Sequence, residues 1–450
     1  MNVSVIGLGK LGAPLAAVLA AKGHNVIGVD LNNCTVQSIN NGIAPVDEPQ
    51  LQDMINRAQG RLSATTCFRI AALDSDVTCI IVPTPSDTKG AFSNTHVLNA
   101  IRELGNNIRS KSSYHVVCIT STVMPGSCDG EIRSTLESAS GRRVGFDIGL
   151  CYSPEFIALG RVIHDLMHPD MVLVGESDPR AGEIVSDLIL SACTGTPPVQ
   201  RMNLVNAELT KITVNTFVTT KISYANMLSD ICDRLPGADV KVLTSALGLD
   251  SRIGSKYLQG ATGYGGPCFP RDNIAFSSMA RALGASPLLA EATETINQMQ
   301  LDRMANKITT CTRKGDTVAV LGLSYKPDTS VVEESHGIKL AQKLAKTGFK
   351  VLCHDPKAGS TAQAVLGQDA WIVISAAEAI TAAQTIVVMT PWQEYGTLSH
   401  EPFQRTGRPV TVIDPWRIVP HAIAKVAHME IPGRNNTSSM LKHDETVVTV

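Results

Sequence analysis

No run of lysine or arginine in the sequence is long enough to advertise a nucleic-acid or anionic-membrane surface, and the net charge over 450 residues is only −2. No stretch approaches the roughly 18 consecutive apolar residues that a membrane-crossing helix needs. The 11 cysteines are odd in number and include no Cys-x-x-Cys pair, which argues against a disulfide framework and against a zinc site. The opening "MNVSVIGLGKLG" lacks the basic and apolar regions of a secretory signal and reads directly as a strand, so the expectation is a cytoplasmic chain. Charged residues at 18% and hydrophobic residues at 44% are a globular balance, and the length predicts two to four domains. With nucleic acid, membrane and metal set aside, small-molecule chemistry is what remains.

What is present begins at that strand. "VSVIGLG" ends in glycine and passes into the alanine-rich "KLGAPLAAVLAAKGH", a strand, tight turn and helix. Gly7, Gly9 and Gly12 fit G-x-G-x-x-G at the turn, where glycine permits the bend, the approach of a pyrophosphate and close helix packing. The next strand, "NVIGVD", ends in Asp30, placed to accept hydrogen bonds from an adenosine ribose. No arginine follows in "LNN" to neutralise a 2′-phosphate, so NAD is favoured over NADP.

Strand-like runs at 77–85, 114–123 and 170–175 alternate with helical segments, which predicts a parallel sheet with helices on both faces. From Asn203 to Asp233 the pattern is helical without glycine or proline, long enough to join two domains. Near Asp316 the strand, glycine turn, helix and Asp-terminated strand recur as "DTVAVLGLSY", "HGIKLAQKLAKTGFK" and "VLCHDP", with further strands at 385–390 and 410–414. This echo lacks the full glycine fingerprint, so no second dinucleotide is assigned to it. The fold class is therefore α/β, with two doubly wound, Rossmann-like domains joined by a long central helix and a helical middle domain. Boundaries are drawn at 1–200, 201–300 and 301–433, with a polar tail at 434–450 that is expected to fray.

"GATGYGGPCFPRDN" (260–273) places Cys268 after Gly265, Gly266 and Pro267, where regular helix or sheet is excluded and backbone can approach a ligand. Arg271 and Asp272 follow at once, a cation that favours a thiolate and an acid that can manage protons. The residues suit a nucleophile better than a buried structural thiol.

That loop resembles the catalytic segment G-[FY]-G-G-S-C-[FL]-P-K-D of the UDP-glucose/GDP-mannose dehydrogenase family of nucleotide-sugar dehydrogenases. "VIGLGKLG", "VPTPSD", "STVMPG", "SPEFIALG", "ELTKITVNTFVTTKISYAN" and "LGLSYKPDTSVVEES" extend the resemblance in order from residue 1 to about 430. It implies oxidation of a sugar's primary alcohol to a carboxylate in two NAD-dependent steps, through a thiohemiacetal and a thioester on Cys268. In the family's pattern Lys211 and Asn215 face the developing oxyanion, Asp272 manages protons, Thr122 holds a water or the nicotinamide side, and Glu155 activates water. Cofactor contacts fall on Gly7, Gly9, Leu11, Gly12, Asp30, Thr35, Thr84, Thr122, Glu155 and Arg271. Nucleotide-sugar contacts fall on 151–155, Lys211, Asn215, Tyr257, Leu258, Gln259, Gly260, Ala261, Gly265 and Lys326. Arg252 resembles the arginine that reaches the sugar nucleotide's phosphate from a partner subunit, which implies a homodimer or higher homo-oligomer.

Several positions depart from the family's usual pattern. Leu159, Met171 and Met227 stand where charged residues are common, Glu333 replaces an arginine beside the cofactor phosphates, Thr35 replaces a basic residue, and Pro267 replaces a small serine. "CFP" resembles the UDP-glucose branch, and the expected reaction is UDP-glucose to UDP-glucuronate. GDP-mannose or another nucleotide-hexose is the alternative substrate. The rival readings are a one-step β-hydroxyacid dehydrogenase, which needs no cysteine loop, and a non-catalytic protein that binds NAD or nucleotide sugar.

Overall fold

The computed structural model describes residues 1–436. The chain divides into two compact units, Met1–Val214 with Ile274–Ala285, and Asn215–Asn273 with Ser286 onward.

In the first unit eight strands form one sheet. They are β1 (Asn2–Ile6), β2 (Asn25–Val29), β3 (Leu62–Thr65), β4 (Val77–Ile80), β5 (His115–Ile119), β6 (Ile148–Tyr152), β7 (Val172–Glu176) and β8 (Val199–Asn203), in the order β3-β2-β1-β4-β5-β6-β7-β8. Strands β4 to β6 are buried at every position and mostly apolar because helices cover both faces. Helix Gly12–Ala21 is alanine-rich because it is buried over almost its whole length. The runs expected at 77–85 and 114–123 end as strands at Ile80 and Ile119. Pro83 and Pro85 have no N–H to give a ladder.

One expectation needs correction. The sheet is not parallel throughout, since β7 runs antiparallel to β6 through Cys151 with Glu176 and Tyr152 with Gly175. After β6 the chain passes through the helix Val162–Met167 and returns beside β6 in the opposite direction, without a crossover over the sheet.

In the second unit β9 (Thr317–Leu321), β10 (Lys350–His354), β11 (Trp371–Ile372), β12 (Thr385–Val388), β13 (Val410–Ile413) and β14 (Ala427–Glu430) lie in the order β11-β10-β9-β12-β13-β14, all parallel. The order reverses between β9 and β12, the place where open α/β sheets take ligands. Helices Val240–Leu249 and Leu288–Cys311 belong to this unit, and helix Leu204–Arg234 begins in the first unit and continues in the second. The tail expected to fray from Arg434 is held at its start. Asn435 donates to Ala238 O at 3.0 Å and accepts from Gly237 N at 2.9 Å, because its main chain runs beside the turn before Asp239. Residues 437–450 lie outside the described residues.

The two sheets use the same aspartate differently. Asp30, after β2, accepts from Leu8 N at 2.8 Å and stays half-buried. Asp355, after β10, is buried and accepts from Leu323 N, Ser324 N, the Ser324 hydroxyl and Trp392 Nε1 at 2.8 to 3.1 Å. One of its oxygens is saturated by protein donors, whereas each oxygen of Asp30 accepts from a single amide. Asp355→Ala strands those donors, at a cost of about 3 kcal/mol or more. Urea denaturation is expected to show that loss, and an unchanged midpoint would refute the account.

Candidate functional site

The first unit carries a dinucleotide cradle. Gly7 has a φ of +93°, a conformation that favours glycine, and Gly12 packs so closely on the Gly7 carbonyl that no side chain fits. A side chain at Gly9 would point into open space, where a pyrophosphate can approach. Helix Gly12–Ala21 starts at Leu11 with no side-chain cap and no acidic residue in its first turn, so its positive end is not neutralised by a side chain, while Ala13 N is taken by the Gly9 carbonyl at 3.1 Å. Asp30 closes the ribose end, and Thr35 lies half-buried on the helix Asn33–Asn40 that follows it. These residues fit NAD.

The strand ends beside that cradle are stitched together. The Thr84 hydroxyl donates to the Thr122 carbonyl at 2.7 Å, and Ser121 Oγ bonds both the N–H and the carbonyl of Val82 at 2.9 and 2.7 Å. Glu208, 0% exposed, accepts from Gly126 N at 2.6 Å and Cys128 N at 2.7 Å, tying down the loop after Thr122. One helical turn later Lys211 donates to the Glu155 carbonyl, with its ammonium 4.6 Å from the Phe156 ring centre. The sequence reading missed Glu208. A glutamate on the apolar side of a helix, three residues before the lysine, was the available signal.

Glu155 lines a cavity of about 20 Å³ with Leu15, Asp165, Met171, Ile189 and Ala192. Burial pushes its carboxyl from 4.5 up to about 7, and the Lys211 charge opposes the shift. Met171, where the family's pattern has a cation, adds no charge to a lining that already holds Asp165.

The second unit carries the cysteine loop. Cys268 is exposed and immediately precedes helix Phe269–Ala282, whose first turn is closed by Asp272 N donating to the Cys268 carbonyl at 2.8 Å. The dipole of a helix start favours an anion there. Gly266 has a φ of +85° and lies against the Tyr325 ring, which a Cβ would meet at 2.5 Å, so the double glycine serves close packing. Asp272 is buried and accepts from Asn215 Nδ2 at 2.6 Å, with Arg271 Nε 3.8 Å from its other oxygen.

Tyr257, Leu258, Gln259, Gly260, Gly265 and Lys326 all line one cavity of about 610 Å³, the volume of a small-ligand site. Ala261 is buried outside that lining, its N–H held by Asn226 Oδ1 at 3.0 Å. Tyr257 is in the left-handed region at φ 65°, strain of a kind that concentrates at ligand clamps. Phe269, Tyr325, Trp416 and Arg417 also line the cavity and were not expected. Their motifs lie far apart in sequence, so only folding reveals them as neighbours. Arg252 stands on an exposed turn, paired with Asp250 at 2.6 Å. Glu333 is exposed, and its carbonyl accepts from Gly266 N at 3.0 Å.

Comparison with known proteins finds three family matches along the chain. Residues 1–191 match the NAD binding domain, 205–299 the central domain and 319–421 the UDP binding domain of the UDP-glucose/GDP-mannose dehydrogenase family. The chain is 37% identical over 423 residues to UDP-glucose 6-dehydrogenase AglM of Haloferax volcanii, covering 93% of this chain and 97% of that one. It is 33% identical over 360 residues to a GDP-mannose 6-dehydrogenase of Pseudomonas aeruginosa, covering 79% and 81%. A solved UDP-glucose dehydrogenase from Pyrobaculum islandicum superposes with a TM-score of 0.86 at 31% identity, over 96% of this chain and 98% of that one.

The raised Glu155 carboxyl carries a stability signature. Between about pH 4.5 and 7 the folded chain holds a proton there that the unfolded chain releases, so this contribution is full in acid and lost as pH rises through 7. Glu155→Gln is expected to remove that decline in a stability series from pH 5 to 8. A decline of equal size in the variant would place its origin elsewhere.

Proposed function

The chain belongs to the UDP-glucose/GDP-mannose dehydrogenase family, and from that premise we propose that it oxidises UDP-glucose to UDP-glucuronate in the cytoplasm with Cys268 as nucleophile. Family membership makes it an NAD-dependent dehydrogenase. When bound, NAD supplies a hydride acceptor for each of two oxidations, held by Gly7, Gly9, Leu11, Gly12, Asp30 and Thr35.

The observation that carries the reading is Cys268, exposed at a helix start directly after a glycine loop that contributes to the nucleotide-sized cavity. After the first oxidation the thiolate adds to the aldehyde carbon, and its oxygen becomes the alkoxide of a thiohemiacetal. Lys211 and Asn215, one turn apart on helix Leu204–Arg234, stabilise that oxyanion in the resemblance. The second hydride leaves a thioester, water adds to its carbonyl, and the C–S bond breaks to give the acid and the free thiol. Covalent capture splits the oxidation and retains the aldehyde. Glu155, raised toward 7, is suited to take the water's proton, and Asp272, held by Asn215, to return one to sulfur. Thr122 and Arg271 complete the cofactor side, with Thr84 bonded to the Thr122 carbonyl. Tyr257 to Gly260, Gly265 and Lys326 hold the nucleotide sugar, with Ala261 buried behind them. GDP-mannose is the second candidate, since a relative so named matches most of the chain.

A homodimer fits the same reading. Phe217, Tyr224 and Ile231 recur at seven-residue spacing on helix Leu204–Arg234 and are 65%, 46% and 49% exposed, an apolar stripe suited to a second copy. Arg252, on its exposed turn, is then available to a partner's phosphate.

Two NADH per UDP-glucose consumed is the expected stoichiometry, and Cys268→Ala is expected to stop uronate formation. One NADH per sugar, or uronate from the alanine variant, would exclude the mechanism; NAD binding without turnover on any UDP- or GDP-hexose favours a binding protein. Ile231→Glu is expected to move the chain from dimer to monomer in analytical ultracentrifugation, and an unchanged mass would reject the stripe as the interface.

A further inference from the structure

Tyr264, four residues before Cys268, is anchored more completely than any catalytic scheme requires. Its main chain is clamped by one side chain: Tyr264 N donates to Asn297 Oδ1 at 2.8 Å, and Asn297 Nδ2 donates to the Tyr264 carbonyl at 3.1 Å. Its hydroxyl donates to Glu294 Oε2 at 2.7 Å and accepts from Asn273 Nδ2 at 3.2 Å. The other Glu294 oxygen accepts from Gln298 Nε2 at 2.6 Å, so the carboxylate is itself held. Asn273 directly follows Asp272, and its Nδ2 also donates to the Ala290 carbonyl at 3.2 Å. The Tyr264 ring meets Phe269 edge-on, with centres 6.3 Å apart, and Phe269 directly follows Cys268.

One buried side chain, set before the thiol in sequence, therefore touches the chain at two points after it, Phe269 and Asn273. The loop between is rich in glycine and has a large conformational space to lose. Glu294 and Asn297, one turn apart on helix Leu288–Cys311, give it a rigid reference. A phenylalanine fills the same volume and keeps the ring contact, but it leaves Asn273 without the phenolic acceptor.

We propose that Tyr264 is a positioning residue for Cys268, its Glu294-held hydroxyl fixing Asn273 and so the start of the helix that presents the thiol and Asp272. The proposal rests on the reading of Cys268 as the nucleophile. Glu294 keeps the phenol donating, which leaves the phenolic oxygen as acceptor for Asn273.

The test is Tyr264→Phe, with Glu294→Gln as the conservative control because its amide oxygen still accepts from the phenol. The first readout is the pH profile of iodoacetamide alkylation at Cys268, followed by peptide mass mapping because Cys34 and Cys67 are also exposed. The second is kcat and KM for NADH formation with UDP-glucose, and the third is the thermal midpoint. Tyr264→Phe is expected to displace the alkylation profile and lower kcat about tenfold with KM within about twofold, as a misplaced reacting group does. Glu294→Gln is expected to stay near the parent in both. A lower thermal midpoint with unchanged alkylation profile and kcat would overturn the proposal and leave Tyr264 a stabilising residue only. Alkylation needs no substrate, so it decides the role of Tyr264 even if the parent chain oxidises no nucleotide sugar offered.

Discussion

A backbone N–H removed from water must find an acceptor, and at the loops of this protein single buried side chains meet that demand. In the first unit Glu208 takes two amides of the loop after Thr122, and Glu48 takes those of Gly160 and Val162 after "SPEF". In the second, Asn226 holds Ala261 and Thr262, Asn297 holds Tyr264, and Asp355 holds Leu323 and Ser324. Such loops have no ladder of their own. Each is as rigid as the helix or strand that supplies its acceptor, which is how a glycine-rich segment can keep a reactive side chain in place.

The same economy explains why two similar sheets differ in use. Both have an aspartate after the second strand of a strand, turn and helix unit. Asp30 accepts from Leu8 N on one oxygen and from Asn32 N on the other, and stays half-exposed near a helix start with no side-chain cap. Asp355 gathers donors from three residues on one oxygen and two more amides, Lys357 N and Ala358 N, on the other. In the second unit Ser335 also caps the helix that follows the glycine turn. A ligand-sized space of that unit lies instead against the aromatic wall of Tyr257, Phe269, Tyr325 and Trp416.

The departures from the family's pattern acquire physical meaning in part. Met171 lines the pocket of Glu155 and leaves burial as the main influence on that carboxyl. Leu159 packs on the core of the first unit, and Met227 lies on the face of the long helix that also exposes Ile231. Glu333 acts through its main chain at Gly266. Nothing in the structure explains Pro267.

Local pattern was enough to read much of this molecule. Chain-local chemistry marks the glycine turn, Asp30, the long helix (expected at 203–233 and found at Leu204–Arg234) and the loop around Cys268. Backbone conformation and hydrophobic period are properties of short segments. The antiparallel turn at β7, the small pocket of Glu155, the gathering of Trp416 and Arg417 beside Tyr257, and the anchoring of Tyr264 by Glu294 and Asn297 were decided only in the folded chain. Each depends on residues about 16 or more positions apart, whose approach is set by packing and by where buried polar groups find partners, and neither leaves a periodic trace in sequence.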